Sequence, residues 1–241
     1  MSLLQRIPAK KLQLAAIFTI AIYPIVTLLI RTDAMHFRNG FLLFAIATLA
    51  AFIVLVFAVL KLARADASEN KALLVSIVLS ALPLAYMGSN IVKANQYPFI
   101  HDITTDTAQP PMFTAAAELR SADDHPITYD ANVAEVQQAG YPDLKALRVN
   151  RDAQAAFTLA KAALLELGME ITAQQETVLP YTLEAVDTTM LLGFKDDIVL
   201  RIQQTDDGQT VIDARSKSRV GKSDLGKNAQ RIQNVFAHIA R

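Results

Sequence analysis

The stretch Asp197–Arg231, DIVLRIQQTDDGQTVIDARSKSRVGKSDLGKNAQR, decides how the C-terminal part of this chain folds. Its first eight residues alternate, so that Ile198, Leu200 and Ile202 share one face of a strand. Asp206-Asp207-Gly208-Gln209 is a hairpin turn signal. Thr210–Ser216 then reads as the partner strand, with Val211 on one face and Ile212 on the other. Residues 224–239 read as a closing helix with Leu225, Ile232, Val235, Phe236 and Ile239 as its apolar stripe.

The join between this strand and helix contains Gly221-Lys222-Ser223, the tail of a phosphate-binding loop. A P-loop needs a glycine five residues before the glycine of its Gly-Lys pair, and Ser216 stands there. The strand before it also belongs to a hairpin, not to a parallel βαβ unit. The run Gly221–Gly226 is one residue too long for a nucleophile elbow. Two readings remain. In one, Ser223 or Asp224 caps the helix, Gly221 and Gly226 supply positive φ or close backbone approach, and the basic residues pair with local acids. In the other, Arg215, Lys217, Arg219, Gly221, Lys222, Ser223, Asp224, Lys227 and Arg231 form an anion- or partner-binding site at the amides of a helix start. Six cations within 17 residues of an acidic half motivate the second. No aromatic residues interleave them, which disfavours nucleic acid.

Upstream of this stretch the elements alternate. Ala146–Val149 is a short strand, and 151–167 an amphipathic helix started by Asp152 and ended by Gly168. Met169–Ala173 and Tyr181–Thr189 are strands, the latter with Thr and Glu outward and Leu and Val inward. Residues 114–144 carry no clear period beyond a helical turn at Val133–Ala139 and a turn at 140–143. The expected fold is an α+β domain over 114–241: an antiparallel sheet of four to five strands packed by two helices, in a helix-grip-like arrangement. Residues 93–113, rich in Pro, Thr and Asp, are an extended connector. Tyr97, Phe99, Ile100, Ile103, Met112 and Phe113 predict that it packs on the domain.

Residues 1–92 are different. They hold eight Lys/Arg and three Asp/Glu, against 15 and 20 in residues 93–241. Runs at 12–30, 41–60 and 72–92 carry no charge and match the length that crosses a bilayer. The first is too long for a signal-peptide core and ends in Ile30-Arg31 without a cleavage site, so it reads as a retained anchor. Arg6, Lys10 and Lys11 precede it, Arg31 and Arg38 lie in the first loop, and Lys61, Arg64 and Lys71 in the second. This bias predicts a cytoplasmic N-terminus, and three crossings then place the C-terminal domain in the periplasm of an inner-membrane protein. Without ionisable residues inside the spans, a channel or proton-coupled transporter is disfavoured. Ala47/Ala51, Ser76/Ser80 and Ala81/Ala85 offer small-residue spacings for close helix approach.

The chain has no cysteine, which excludes disulfides and thiolate chemistry. Asp102, Asp106, Asp196 and Asp197 are candidate acid, base or cation-binding carboxylates, although their spacing matches no metal loop. His36, His101, His125 and His238 are scattered. No metal or cofactor is implied.

Three pieces resemble the domain-of-unknown-function family numbered 1499: YPFIHDITTDTAQPPMF (Tyr97–Phe113), GFKDDIVLRI (Gly193–Ile202) and DARSKSRVGKSDLGKNAQRI (Asp213–Ile232), with GYPDL (Gly140–Leu144) in addition. The resemblance covers about residues 95–240 and implies an envelope-associated α+β domain. It supplies no reaction or catalytic residue. The expected function is that of a multi-pass membrane protein, leaning non-enzymatic, whose periplasmic domain binds an envelope protein or a lipid-like or anionic ligand. The alternative is an envelope hydrolase or transferase using Asp102, Asp106, Asp196 or Asp197.

Overall fold

The structure, a computed structural model, describes residues 7–206 and 208–241. Arg6 of the loop-charge argument and Asp207 of the hairpin turn lie outside the described residues. The chain divides into two compact units. One covers residues up to Lys93 together with Met190–Gly193, and the other covers Ala94–Thr189 and Phe194–Arg241.

The first unit contains α1 (Ala9–Arg31), α2 (Phe37–Leu62) and α3 (Ala67–Ala94), each long and apolar enough to cross a membrane. The chain is a multi-pass membrane protein. The sides of the helices turned away from their neighbours carry exposed Phe18, Leu28, Leu49, Leu60 and Leu82, as a lipid-facing surface requires. Ala47, Ala51, Ser76 and Ser80 are buried, so two of the three small-residue pairs sit where helices pack. Ala85 of the third pair is exposed. Tyr23 and Thr48 join α1 and α2 through a 2.7 Å hydroxyl–hydroxyl bond, and the Tyr23 ring stacks on Phe44.

The second unit is built on an antiparallel sheet. Its strands are β1 (Asp102–Thr104), β2 (Leu147–Val149), β3 (Glu170–Gln175), β4 (Tyr181–Thr188), β5 (Lys195–Gln204) and β6 (Thr210–Ser218), in the order β1-β6-β5-β4-β3. Six strands replace the expected four to five. β1 lies inside the connector, where three residues are too few to show a period. Both β1 and β2 pair with β6, at its two ends. The sheet edge at β1 is sealed by the buried Gln137 amide, which accepts from Thr104 N and donates to Thr104 O. Gln137 belongs to α5 (Ala134–Gly140), which follows α4 (Ala115–Glu118).

Helices α6 (Ala153–Glu166) and α7 (Lys227–Ile239) cover one face of the sheet. Asp152 caps α6 through Ala155 N at 2.7 Å, and Gly168, at φ +78°, follows its end. Phe157 and Leu164 of α6 and Ile232, Val235 and Ile239 of α7 pack on Leu183, Ile198, Leu200, Ile202 and Ile212. These are fully or almost fully buried, each contributing about 1.5–3 kcal/mol of transfer free energy.

Three sequence expectations need correction. The last helix starts at Lys227, not Asp224, because Leu225 (φ +53°) and Gly226 (φ +80°) adopt left-handed backbone. Leu225 is therefore off the helix stripe. Glu184, expected outward, is 2% exposed, and Val186, expected inward, shares its sheet face by register parity. The second face is not solvated, because the end of the connector and the residues after it, 111–129, fold over it.

Candidate functional site

The alternation of β6 explains the family-like motif. In a strand, successive side chains point to opposite faces. Asp213, Arg215, Lys217 and Arg219 therefore fall on the connector face, and Ile212, Ala214, Ser216 and Ser218 on the helix face. A sequence cluster of basic residues becomes two separate polar layers.

On the connector face the cations are buried and paired. Arg215 grips Asp102 bidentately, at 2.9 and 2.8 Å, and its guanidinium lies 5.0 Å from the Phe113 ring centroid and 5.3 Å from that of Tyr129. Lys217 Nζ donates to the same Asp102 at 2.8 Å. Asp197, 1% exposed, sits between Arg219 and Arg120 and accepts two bonds from each. The remaining donors reach backbone carbonyls of the overlying segment: Ile127 from Arg215, Thr128 from Lys217, Leu119 from Arg219 and His125 from Arg120. A segment without ladder partners must satisfy its carbonyls in some way. Here Arg215, Lys217 and Arg219 from the sheet side do so, with Arg120 of the segment itself, and they pin residues 119–128 onto the sheet. Burial pulls the Lys217 ammonium pKa below its ordinary value, while Asp102 acts in the opposite direction.

Two further groups tie down the chain that precedes this segment. The Glu184 carboxylate receives the backbone N–H groups of Thr114, Ala115 and Ala116 and the Thr114 hydroxyl, so that a sheet residue holds the start of α4. Arg201 joins Asp106 and Asp213, both at 2.9 Å.

On the helix face Arg231 is the centre. It meets Asp187 at 2.8 Å and Asp196 at 2.5 Å, and it donates to Ser216 and Asn228. Asn228 in turn bonds Ser216, Ser218 and the His101 carbonyl. The candidate carboxylates are thus split by the sheet, with Asp196 on the helix face and Asp102 and Asp197 on the other. Asp102 and Asp197 both pair in register with Lys217, from opposite sides of β6.

The turn itself closes on local groups. Asp224 accepts from Gly226 N and Asn228 N, both at 2.9 Å, so its carboxylate occupies the amides at the helix start. Burial raises the Asp224 carboxyl pKa, opposed by these N–H donors. Ser223 is half-buried and accepts weakly from Leu225 N at 3.4 Å. Gly221 takes φ +90°. A Cβ on Gly226 would stand 2.5 Å from the Tyr97 ring, and one on Gly140 would stand 2.2 Å from Pro98. The Tyr97-Pro98 pair of one resembling segment therefore packs directly on glycines of two others. His101 and His125 stack at 4.1 Å, with His125 Nε2 2.8 Å from the Gly221 carbonyl. Burial lowers the His101 pKa, and His125 and Lys217 push it the same way.

Of the predicted basic set, Lys222 and Lys227 are exposed. Lys227 lines a cavity of about 180 Å³, together with Gln230, Arg231 and Asn234 of α7, Asp187 of β4, and Leu167 and Met169. Among the described residues, no three His, Cys, Asp or Glu side chains come together as metal ligands would.

Arg120, Glu184, Asp187, Arg201, Asp213 and Asn228 are structural partners that the sequence reading passed over. The available signal was the two-residue period Arg215-Ser216-Lys217-Ser218-Arg219, which sorts cations from serines by face.

A search of the curated proteins finds none that matches the chain. A family model described as "Protein of unknown function (DUF1499)" matches residues 102–239. That span begins at the Arg215 partner Asp102 and ends at the last residue of α7, so it holds both polar layers. More than half of the chain lies within it, and the protein belongs to the DUF1499 family.

Proposed function

We propose that this protein is a non-catalytic component of the cell envelope. Its spans hold it in the inner membrane with the N-terminus in the cytoplasm, and its periplasmic domain binds an anionic ligand of headgroup size, free or lipid-borne. We read the sheet with α7 laid along it as helix-grip-like. The observation that carries the reading is the cavity at the flank of α7. Lys227 brings an exposed cation to it, Gln230 and Asn234 add amide donors, and Leu167 and Met169 give an apolar wall. Arg231 is already committed to Asp187 and Asp196, so Lys227 is the cation available to an incoming anion. The hydrolase or transferase alternative draws less support. Asp102, Asp196 and Asp197 are each held by buried cations, and Asp106 by Arg201.

Native mass spectrometry of the full chain, extracted from membranes in detergent, tests the reading. A phosphate- or carboxylate-bearing adduct that is lost in Lys227→Glu is the expected result. A bare protein, or an adduct indifferent to that substitution, overturns it. A reporter enzyme active only outside the cytoplasm, fused after Arg241, tests the placement. An inactive fusion would reverse it.

A further inference from the structure

The β4–β5 turn carries Met190, 85% exposed, and Leu191, 63% exposed, followed by the half-buried Leu192. An exposed apolar tip on a hairpin has no packing role within its own sheet. The turn is nevertheless built firmly: Thr189 N donates to Phe194 O at 2.8 Å, and Phe194 N donates to Thr189 Oγ1 at 2.8 Å. Exposed Lys195 follows. A short, closed, apolar tip flanked by a basic residue has the composition of a segment that lies at the headgroup and acyl boundary of a bilayer.

Strand register shows which end of the sheet the membrane-anchored chain reaches first. α3 ends at Ala94 and β1 begins at Asp102, so residues 95–101 span the gap, at most about 25 Å when extended. Asp102 pairs with Lys217, Lys217 with Asp197, and Asp197 with Val186. The point where the chain enters the sheet is thus level with Val186, near the end of β4. Met190 lies four residues beyond it, about 13 Å at strand spacing. A second exposed apolar tip, Val178 and Leu179, precedes the start of β4 at the opposite end of the same strand, eight residues or about 26 Å from the level of Val186 in the other direction. Covalent connection therefore selects one tip of the two.

We infer that Met190 and Leu191 insert into the interface of the bilayer that holds the three spans, so that the β4–β5 turn is a second contact of the domain with lipid. The inference is independent of the ligand reading at Lys227.

The chain contains no tryptophan, so a single one can serve as the reporter. Leu191→Trp and, as control, Val178→Trp are made in the full chain and reconstituted into vesicles with or without acyl-brominated phosphatidylcholine. The expected result is blue-shifted Leu191→Trp emission quenched at least twofold by the brominated lipid, with Val178→Trp emission red and unquenched. Unquenched emission from Leu191→Trp overturns the inference, whether red (water) or blue (protein packing). Equal quenching at both sites also overturns it. Met190→Trp, read in the same way, replaces Leu191→Trp if that variant fails to fold.

Discussion

Asp197→Asn is the sharpest probe of the buried charge layer. The wild-type carboxylate accepts four charge-assisted bonds, from Arg120 at 3.0 and 2.7 Å and from Arg219 at 3.1 and 2.8 Å. Asparagine keeps the shape, but it loses the charge and turns an amide toward a guanidinium. Both arginine side chains are under a tenth exposed, so solvent cannot screen what remains. Removing one partner from a buried ion pair costs about 3–5 kcal/mol. Domains have about 5–15 kcal/mol in total, so this is about a fifth of the margin or more. At about 2–4 °C per kcal/mol for a domain of this size, the midpoint should fall by about 6–20 °C. Pulse proteolysis of the full chain in detergent across a urea series reads the loss, because the domain is cut only when unfolded. Adding Arg219→Met should return part of it, since one stranded cation is then gone and the two substitutions are not additive. A loss under about 1 kcal/mol, or full additivity in the double variant, would refute the reasoning.

Two further outcomes follow from the turn. Gly226→Ala combines left-handed backbone at φ +80° with a Cβ 2.5 Å from the Tyr97 ring. It should cost about 2 kcal/mol or more in the same urea assay, and Tyr97→Ala should recover the steric part. The depressed His101 pKa means that the unfolded chain takes up the proton more readily than the native one. This group's contribution to stability is complete above the unfolded value of about 6.5 and is lost as pH falls through the lower native value. Midpoints measured from pH 8 to pH 5 should show that loss, and His101→Asn should flatten it. An unchanged slope in the variant would assign the pH dependence elsewhere.

The strands and helices of the domain were legible because their apolar residues keep a period. Ile198, Leu200 and Ile202 mark β5, and Ala156, Phe157, Ala160 and Leu164 mark the buried side of α6. The spans were legible from length and missing charge. What escaped were the elements whose order comes from distant partners. β1 is three residues held by β6 and by the Gln137 amide, and α4 is four residues held by Glu184. Neither carries a local signal, because the partner lies 33 or about 70 positions away in sequence. The candidate site failed to read out for a related reason. Arg215, Lys217, Arg219 and Arg231 look like one basic patch along the chain, but the pleat and the helix distribute them over two faces. Only pairing with Asp102, Asp197, Asp196 and Asp187 shows that these four hold the fold, leaving Lys227 and Lys222 facing outward.

The proposed division between buried cations that clasp and an open cation that binds is tested most directly by linkage. Urea midpoints of the full chain are measured in glycerol phosphate and in chloride at matched ionic strength, for the wild type and for Lys227→Glu. At a ligand concentration about a hundredfold above its dissociation constant, binding adds about 2.7 kcal/mol to native stability. The wild type should show a saturable increase toward that value, and Lys227→Glu should show none while keeping its midpoint in chloride. An equal increase in both proteins, or none in either, would contradict the account.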